Sequence, residues 1–150
     1  MTRSERALKA LLRIAGSAAL LAIFAVFMPY SWMDAVHRRL GMGRLPTAPI
    51  VGYLARSTSA FYAILGGLLW LVSFDLWRYR TLLGYLGAAL AAFGAVWIGV
   101  DFAEGMPSFW TWQEGPIVVA MGSGILVLRR GVPKSDVPAD GGVSADGPAA

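Results

Sequence analysis

This sequence predicts an all-α integral membrane fold: an antiparallel four-helix bundle with a short interfacial helix in its first outer loop. Three observations predict it. Four apolar stretches, near 14–30, 57–77, 82–100 and 109–128, fill most of the 150 residues, and the joints between them carry Lys, Arg, Asp or Glu. Hydrophobic residues make up 57% of the chain against 15% charged, and the mean hydropathy is +0.58, outside the range of ordinary soluble domains. No stretch alternates in period two as barrel strands do. Backbone polar groups in hydrocarbon must therefore be satisfied within each segment, which only a helix achieves here.

The chain opens with a basic arm over 1–13, carrying Arg3, Arg6, Lys9 and Arg13. The apolar run after it has the length of a signal-peptide core. It is followed by Pro29-Tyr30-Ser31-Trp32, an aromatic interface, and not by a small-x-small cleavage site, so it reads as an uncleaved first span. Over 32–40, Trp32, Met33, Val36 and Leu40 fall in an arc of about 100° while Asp34, His37 and Arg38 point elsewhere. That pattern predicts a helix lying in the outer interface, with Asp34 and Arg38 spaced for an ion pair. Gly41, Gly43 and Pro46 end it, and Pro49 fits the first turn of the next helix.

The second and third stretches are each about 20 residues, enough to cross a hydrocarbon core of ~30 Å. Asp75, at the inner end of the second, has Arg78 and Arg80 close by as structural partners. In the third, Gly87, Ala91, Ala95 and Gly99 recur every four residues beside Gly84, Ala88 and Ala92. Lipid is as apolar as leucine, so helices associate by close contact, and this row predicts a packing face inside the bundle. The fourth stretch is too short if it begins at Pro116. Beginning near Ser108 or Phe109 makes it long enough but carries Gln113 and Glu114 into the outer leaflet, where a carboxylate needs a partner, a proton or water. The segment 131–150, rich in Gly, Pro, Ala and Asp, reads as a disordered cytoplasmic tail.

Charge sets the orientation. Arg3, Arg6, Lys9, Arg13, Arg78, Arg80, Arg129, Arg130 and Lys134 fall on one side of the predicted bundle and only Arg38, Arg39, Arg44 and Arg56 on the other. Both termini are thus expected in the cytoplasm, with a bacterial inner membrane as the natural location. Aromatic residues agree: Tyr30, Trp32, Trp97, Trp110 and Trp112 mark the outer boundary and Trp77, Tyr79 and Tyr85 the inner one, with Trp70 alone near mid-membrane.

The composition also narrows the chemistry. With no cysteine there is no disulfide, thiolate nucleophile or thiol-bound metal, and the lone His37 builds no histidine metal site. No cofactor is called for. The net charge of +4 comes from basic residues at helix ends, not from a stripe interleaved with aromatics, so nucleic acid is not the expected partner. The expected partners are the lipid bilayer and a membrane protein or a second copy of the chain.

One constellation stands out near the predicted outer face, where the topology brings Arg56, Asp101, Glu104 and Glu114 to a similar depth and His37 or Arg38 within reach. Asp101 and Glu104, at i and i+3, can share a helical face. The functional reading is an outward binding or proton-handling site in which Arg56 positions an anionic group. The structural reading is that Arg56 clamps helix ends by bridging Glu114 or Asp101.

The run Ala55-Arg56-Ser57, the pair Gly66-Gly67, the Arg78/Arg80 joint, Asp101-Phe102-Ala103-Glu104-Gly105-Met106-Pro107 and Glu114 together resemble the small four-helix bacterial membrane proteins of the DoxX-like group, across residues 50–130. The resemblance implies the four-helix fold and the importance of Arg56, Asp101, Gly105 and Glu114. It implies no reaction, because the sulfur and quinone redox chemistry associated with DoxX itself meets a chain with no cysteine and one histidine. The expected function is a structural or accessory membrane subunit. The alternative is a transporter, or a quinone or lipid binder, using Arg56, Asp101 and Glu114, whereas the nucleophile and base geometry of an enzyme is not visible.

Overall fold

The structure is a computed structural model that describes residues 1–132, and all secondary structure within them is helical. The expected tail over 131–150 lies outside the described residues except for its first two positions. Helix α1 (Arg3–Leu20) begins eleven residues before the predicted span, because Thr2 and Glu5 form a capping box. The Glu5 amide donates to the Thr2 hydroxyl at 3.1 Å, and the Thr2 amide donates to the Glu5 carboxylate at 2.7 Å, satisfying two amides that the first turn otherwise leaves free. The basic arm is therefore helical with a packing face, and Leu8 within it is fully buried. A turn at Leu21 and Ala22 separates α1 from the single turn α2 (Ile23–Val26).

Pro29 starts α3 (Tyr30–Arg39), which buries none of its residues and leaves Trp32 and Val36 exposed. It ends where Gly41 and Gly43 take φ of +76° and +79°, conformations a side chain disfavours. Helix α4 (Pro49–Val72) has Pro49 in its first turn, as the sequence predicts, and stops before Ser73, five residues short of the predicted Trp77. There the Asp75 carboxylate accepts the Arg78 amide at 3.0 Å, so Asp75 closes a turn and bonds backbone rather than an arginine side chain. Helix α5 (Arg80–Ala103) and α6 (Ser108–Leu128) follow, joined by a tight turn with Gly105 at φ +66°.

Three segments, Arg3–Val26, α4 and α5, are long and apolar enough to cross a membrane. At 24 residues each they reach about 36 Å. The 21-residue α6 is long enough but is not among them; Thr111, Gln113 and Glu114 lie in the half that dilutes its apolar character.

Two tightly zipped pairs build the bundle. In the α1/α4 pair, a Cβ on Gly66 would stand 2.6 Å from the Gly16 carbonyl oxygen, so the backbones touch. In the α5/α6 pair, a Cβ on Gly94 would stand 2.8 Å from the Gly115 carbonyl, and one on Gly122 would stand 2.6 Å from the Gly87 carbonyl. The pairs meet where α1 packs on α6, and α4 makes no comparably close backbone approach to α5 among the described residues. The apolar core sits at the end holding Leu8, Leu12, Leu69, Val72, Leu76, Leu83, Leu86, Ile125 and Val132. Near its edge, Arg13 donates to the Ser73 hydroxyl and lies over the Trp70 ring, 4.9 Å from its centre, and the Trp70 indole donates to Ser17 at 3.0 Å. Trp70 thus has polar partners as well as the packing role its mid-span position predicts.

Candidate functional site

The opposite end is looser, and the predicted constellation divides there. The Arg56 guanidinium donates to the carbonyl oxygens of Val26 at 3.1 Å and Met28 at 3.2 Å, the last residue of α2 and the second one after it. Helix ends leave carbonyls unsatisfied, and a half-buried arginine with several donors is suited to them. Arg56 makes no ion pair with Asp101 or Glu114 among the described residues. It clamps a helix end, but through backbone oxygens.

His37 also stays on its own loop, with Nδ1 3.0 Å from the Gly43 carbonyl. Arg38 pairs with Asp34 at 2.6 Å as its spacing predicts, and Asp34 also accepts the Leu45 amide at 2.9 Å. That amide first, and Arg38 behind it, hold the Asp34 carboxyl below the usual carboxylate range. Tyr30 reaches over the same loop to donate to the Pro46 carbonyl.

The two halves of the Asp101/Glu104 pair part company. Glu104 ends α5 and is exposed, while Asp101 is 3% exposed and its Oδ2 has no hydrogen-bond partner among the described residues. The reason lies in the α5/α6 seam. Gly87, Gly94 and Asp101 are spaced by seven residues, and the first two face Gly122 and Gly115 of α6. Asp101 is the next position at that spacing and is buried as they are, and Thr111 is buried on the facing helix. Of the predicted residues, the structure buries Asp101 on the α5/α6 seam, half-buries Glu114, leaves Glu104 exposed, and gives Arg56 and His37 backbone partners of their own.

The seam also sorts the predicted small-residue face. Gly87 and Ala91 pack on α6, whereas Ala95 and Gly99 are exposed, and a Cβ on Gly99 would meet nothing within 4 Å. A four-residue step turns 400°, so a strict row drifts by about 40° each time and leaves the contact after two steps. Gly94 and Ile98 take over where Ala95 and Gly99 leave.

Aromatic side chains below the carboxylates were not singled out as a site by the sequence. Tyr62 of α4 stacks on Trp97 of α5 with ring centres 6.2 Å apart and planes 17° from parallel, and Phe93 packs against Trp97 at 4.9 Å. Trp97 is one turn before Asp101 on α5. Tyr62, Phe93 and Trp97 together with Leu65, Leu90 and Met121 wall an apolar cavity of about 180 Å³ among α1, α4, α5 and α6. Tyr62, Leu65 and Phe93 also line an outer groove of about 320 Å³ with Thr58 and Phe61. Trp110, Gln113 and Glu114 line a further depression of about 290 Å³. Aromatic residues on the second and third spans were the only sequence signal, and they read equally as an interface belt.

No group of three or more His, Asp or Glu able to hold a metal occurs among the described residues. No family model matches the chain, and neither a curated protein nor a solved structure matches it, so the DoxX-like resemblance rests on the motifs alone.

Proposed function

We propose that this chain is a noncatalytic four-helix membrane protein that binds a lipid-like amphiphile in the cleft between α4 and α5. The observation that carries the reading is the continuity of the cleft. The outer groove and the inner cavity share Tyr62, Leu65 and Phe93, so an alkyl chain approaching from the bilayer meets an apolar path into the bundle. The groove falls in the size range of small-molecule sites, roughly 300–1,000 Å³, and its walls have the apolar lining such sites use. The accompanying topology has both termini and the Asp75–Arg80 joint in the bacterial cytoplasm, α6 as a fourth span, and α3 on the outer interface with Trp32 and Val36 toward lipid.

A second reading, an accessory subunit, is favoured by the outward row Ala88, Ala92, Ala95 and Gly99, which suits a partner helix. Native mass spectrometry of the protein released from membranes in a gentle detergent separates the two. The expected result is an adduct of lipid-like mass that is lost when Leu65→Trp fills the cleft, with the helical content unchanged. A bound polypeptide that survives Leu65→Trp and is lost with Gly99→Leu would establish the accessory role instead.

A further inference from the structure

We infer that the inner cavity is a blind pocket for the end of one alkyl chain, with room for about six carbons, and that Ala15 and Ala19 of α1 set how far the chain enters. The inference rests on the cleft reading and names what the cleft measures. Its ground is the way the space arises. The face of α1 that packs into the core carries Leu8 and Leu12, both fully buried, and it continues at Ala15 and Ala19, three and then four residues further on. Where leucine gives way to alanine, each position lacks an isopropyl group. Helix α1 cannot move inward to fill the gap, because a Cβ on Gly66 would already stand 2.6 Å from the Gly16 carbonyl oxygen. Helices α5 and α6 are fixed to each other in the same way at Gly94 and Gly115. Space held between two such pairs persists, since packed structure relaxes only partly around missing atoms.

The outline of the cavity suits a chain end. Tyr62, Leu65 and Phe93 belong to both the outer groove and the cavity, so they form its mouth on the side of α4 and α5. Ala15 and Ala19 of α1, with Val118 and Met121 of α6, close the far side, and the core residues Leu69 and Leu90 close the inner end. A polar group drawn between these apolar walls would lose its water without a hydrogen bond in return, so the head group stays outside. An apolar cavity of about 150 Å³ stays dry and holds a benzene molecule, and the about 180 Å³ here therefore hold roughly six carbons of a chain. Lipid is as apolar as the pocket, so leaving water is not what draws the chain in. The gain is van der Waals contact for wall atoms that otherwise face empty space.

The test uses the full chain in phosphatidylcholine nanodiscs with two photoreactive dodecyl maltosides, one carrying a diazirine beside the chain end and the other beside the sugar. Peptide mass spectrometry places the cross-links. The chain-end probe should label Ala15, Ala19 and Met121, and the sugar-end probe should label Thr58 and Phe61 of the groove. Labelling of the α1 wall by the chain-end probe should fall roughly tenfold in Ala15→Leu and in Ala19→Leu, as when two groups compete for space that holds one. Met121→Ala, which opens the opposite wall, should restore it in the Ala19→Leu background. Because leucine fills space that already exists, the thermal unfolding midpoint of either variant without probe should match or exceed that of the parent protein. A lower midpoint means that the space is not there to fill, and overturns the inference. Probes that both label only the groove, labelling of α1 indifferent to the leucines, or a loss that Met121→Ala does not restore would overturn the inference and leave the cleft reading standing. Labelling confined to exposed residues outside the cleft, such as Phe24 and Ile64, would overturn both.

Discussion

Arg56 and Asp101 are the two residues whose surroundings decide most about this protein. Arg56 is a cation that donates to two backbone carbonyls, and Asp101 is an anion with one oxygen unpartnered among the described residues. Side-chain type and depth were readable from the sequence, since both residues flank apolar spans. Their pairing was not, because the carbonyls of Val26 and Met28 become acceptors only where α2 stops and faces α4. Asp34 is the converse case, its ion pair following directly from four-residue spacing. Its carboxyl is held low chiefly by the Leu45 amide, so the stability it lends the 40–45 loop is complete above the ordinary aspartate pKa of about 3.9 and is lost as pH falls through the lower folded value. Carbon-13 NMR of the side chain should show Asp34 titrating below a reference aspartate, and Asp34→Ala should abolish the loop's ordered amide signal at Leu45. A titration at or above the reference value would refute the hydrogen bond as its cause.

At the scale of the element, the α5/α6 seam shows how a helix chooses its face. A straight four-residue row predicts Gly87, Ala91, Ala95 and Gly99, while two helices that wrap keep contact through seven-residue steps, which selects Gly87, Gly94 and position 101. The difference is testable by a pair of glycines five residues apart. A side chain at Gly94 would run into the Val119 amide nitrogen at 2.7 Å, which is backbone and cannot rotate away, so Gly94→Val should destabilise the protein by about 1–3 kcal/mol. Gly99 has open space and a helical neighbourhood, so Gly99→Ala should gain about 0.5–1 kcal/mol from reduced backbone entropy. Unfolding in mixed dodecyl sulfate micelles measures both, and equal effects at the two sites would show that the seam does not run through Gly94.

The whole molecule is closed at one end and open at the other. Core leucines gather where the chain begins and where α6 ends, held together by contacts of α1 with both α4 and α6, while α4 and α5 diverge around an apolar cavity. Truncating a side chain should therefore cost unequally along the bundle. Leu83, fully buried, should lose about 2–4 kcal/mol as Leu83→Ala, whereas Leu65→Ala, beside space that already exists, should lose well under half of that. The same detergent titration reads both, and a cost at Leu65 matching that at Leu83 would mean the cleft is as tightly packed as the core.

The sequence by itself determined that the chain is helical and apolar enough to enter a membrane, where α6 must begin, and that α3 is amphipathic. These follow from composition, periodicity and breakers, all of which act within a single helix and need no neighbour. Only the tertiary structure decided that the helices close as α4–α1–α6–α5 with a gap between the first and last, that Arg56 turns away from the carboxylates, and that Tyr62 meets Trp97 beneath them. Those depend on which helix faces meet, and in a medium as apolar as the side chains no hydrophobic pattern marks the meeting face. Close contact between backbones does, through Gly16 on Gly66 and Gly94 on Gly115, and such contact exists only once both helices are in place.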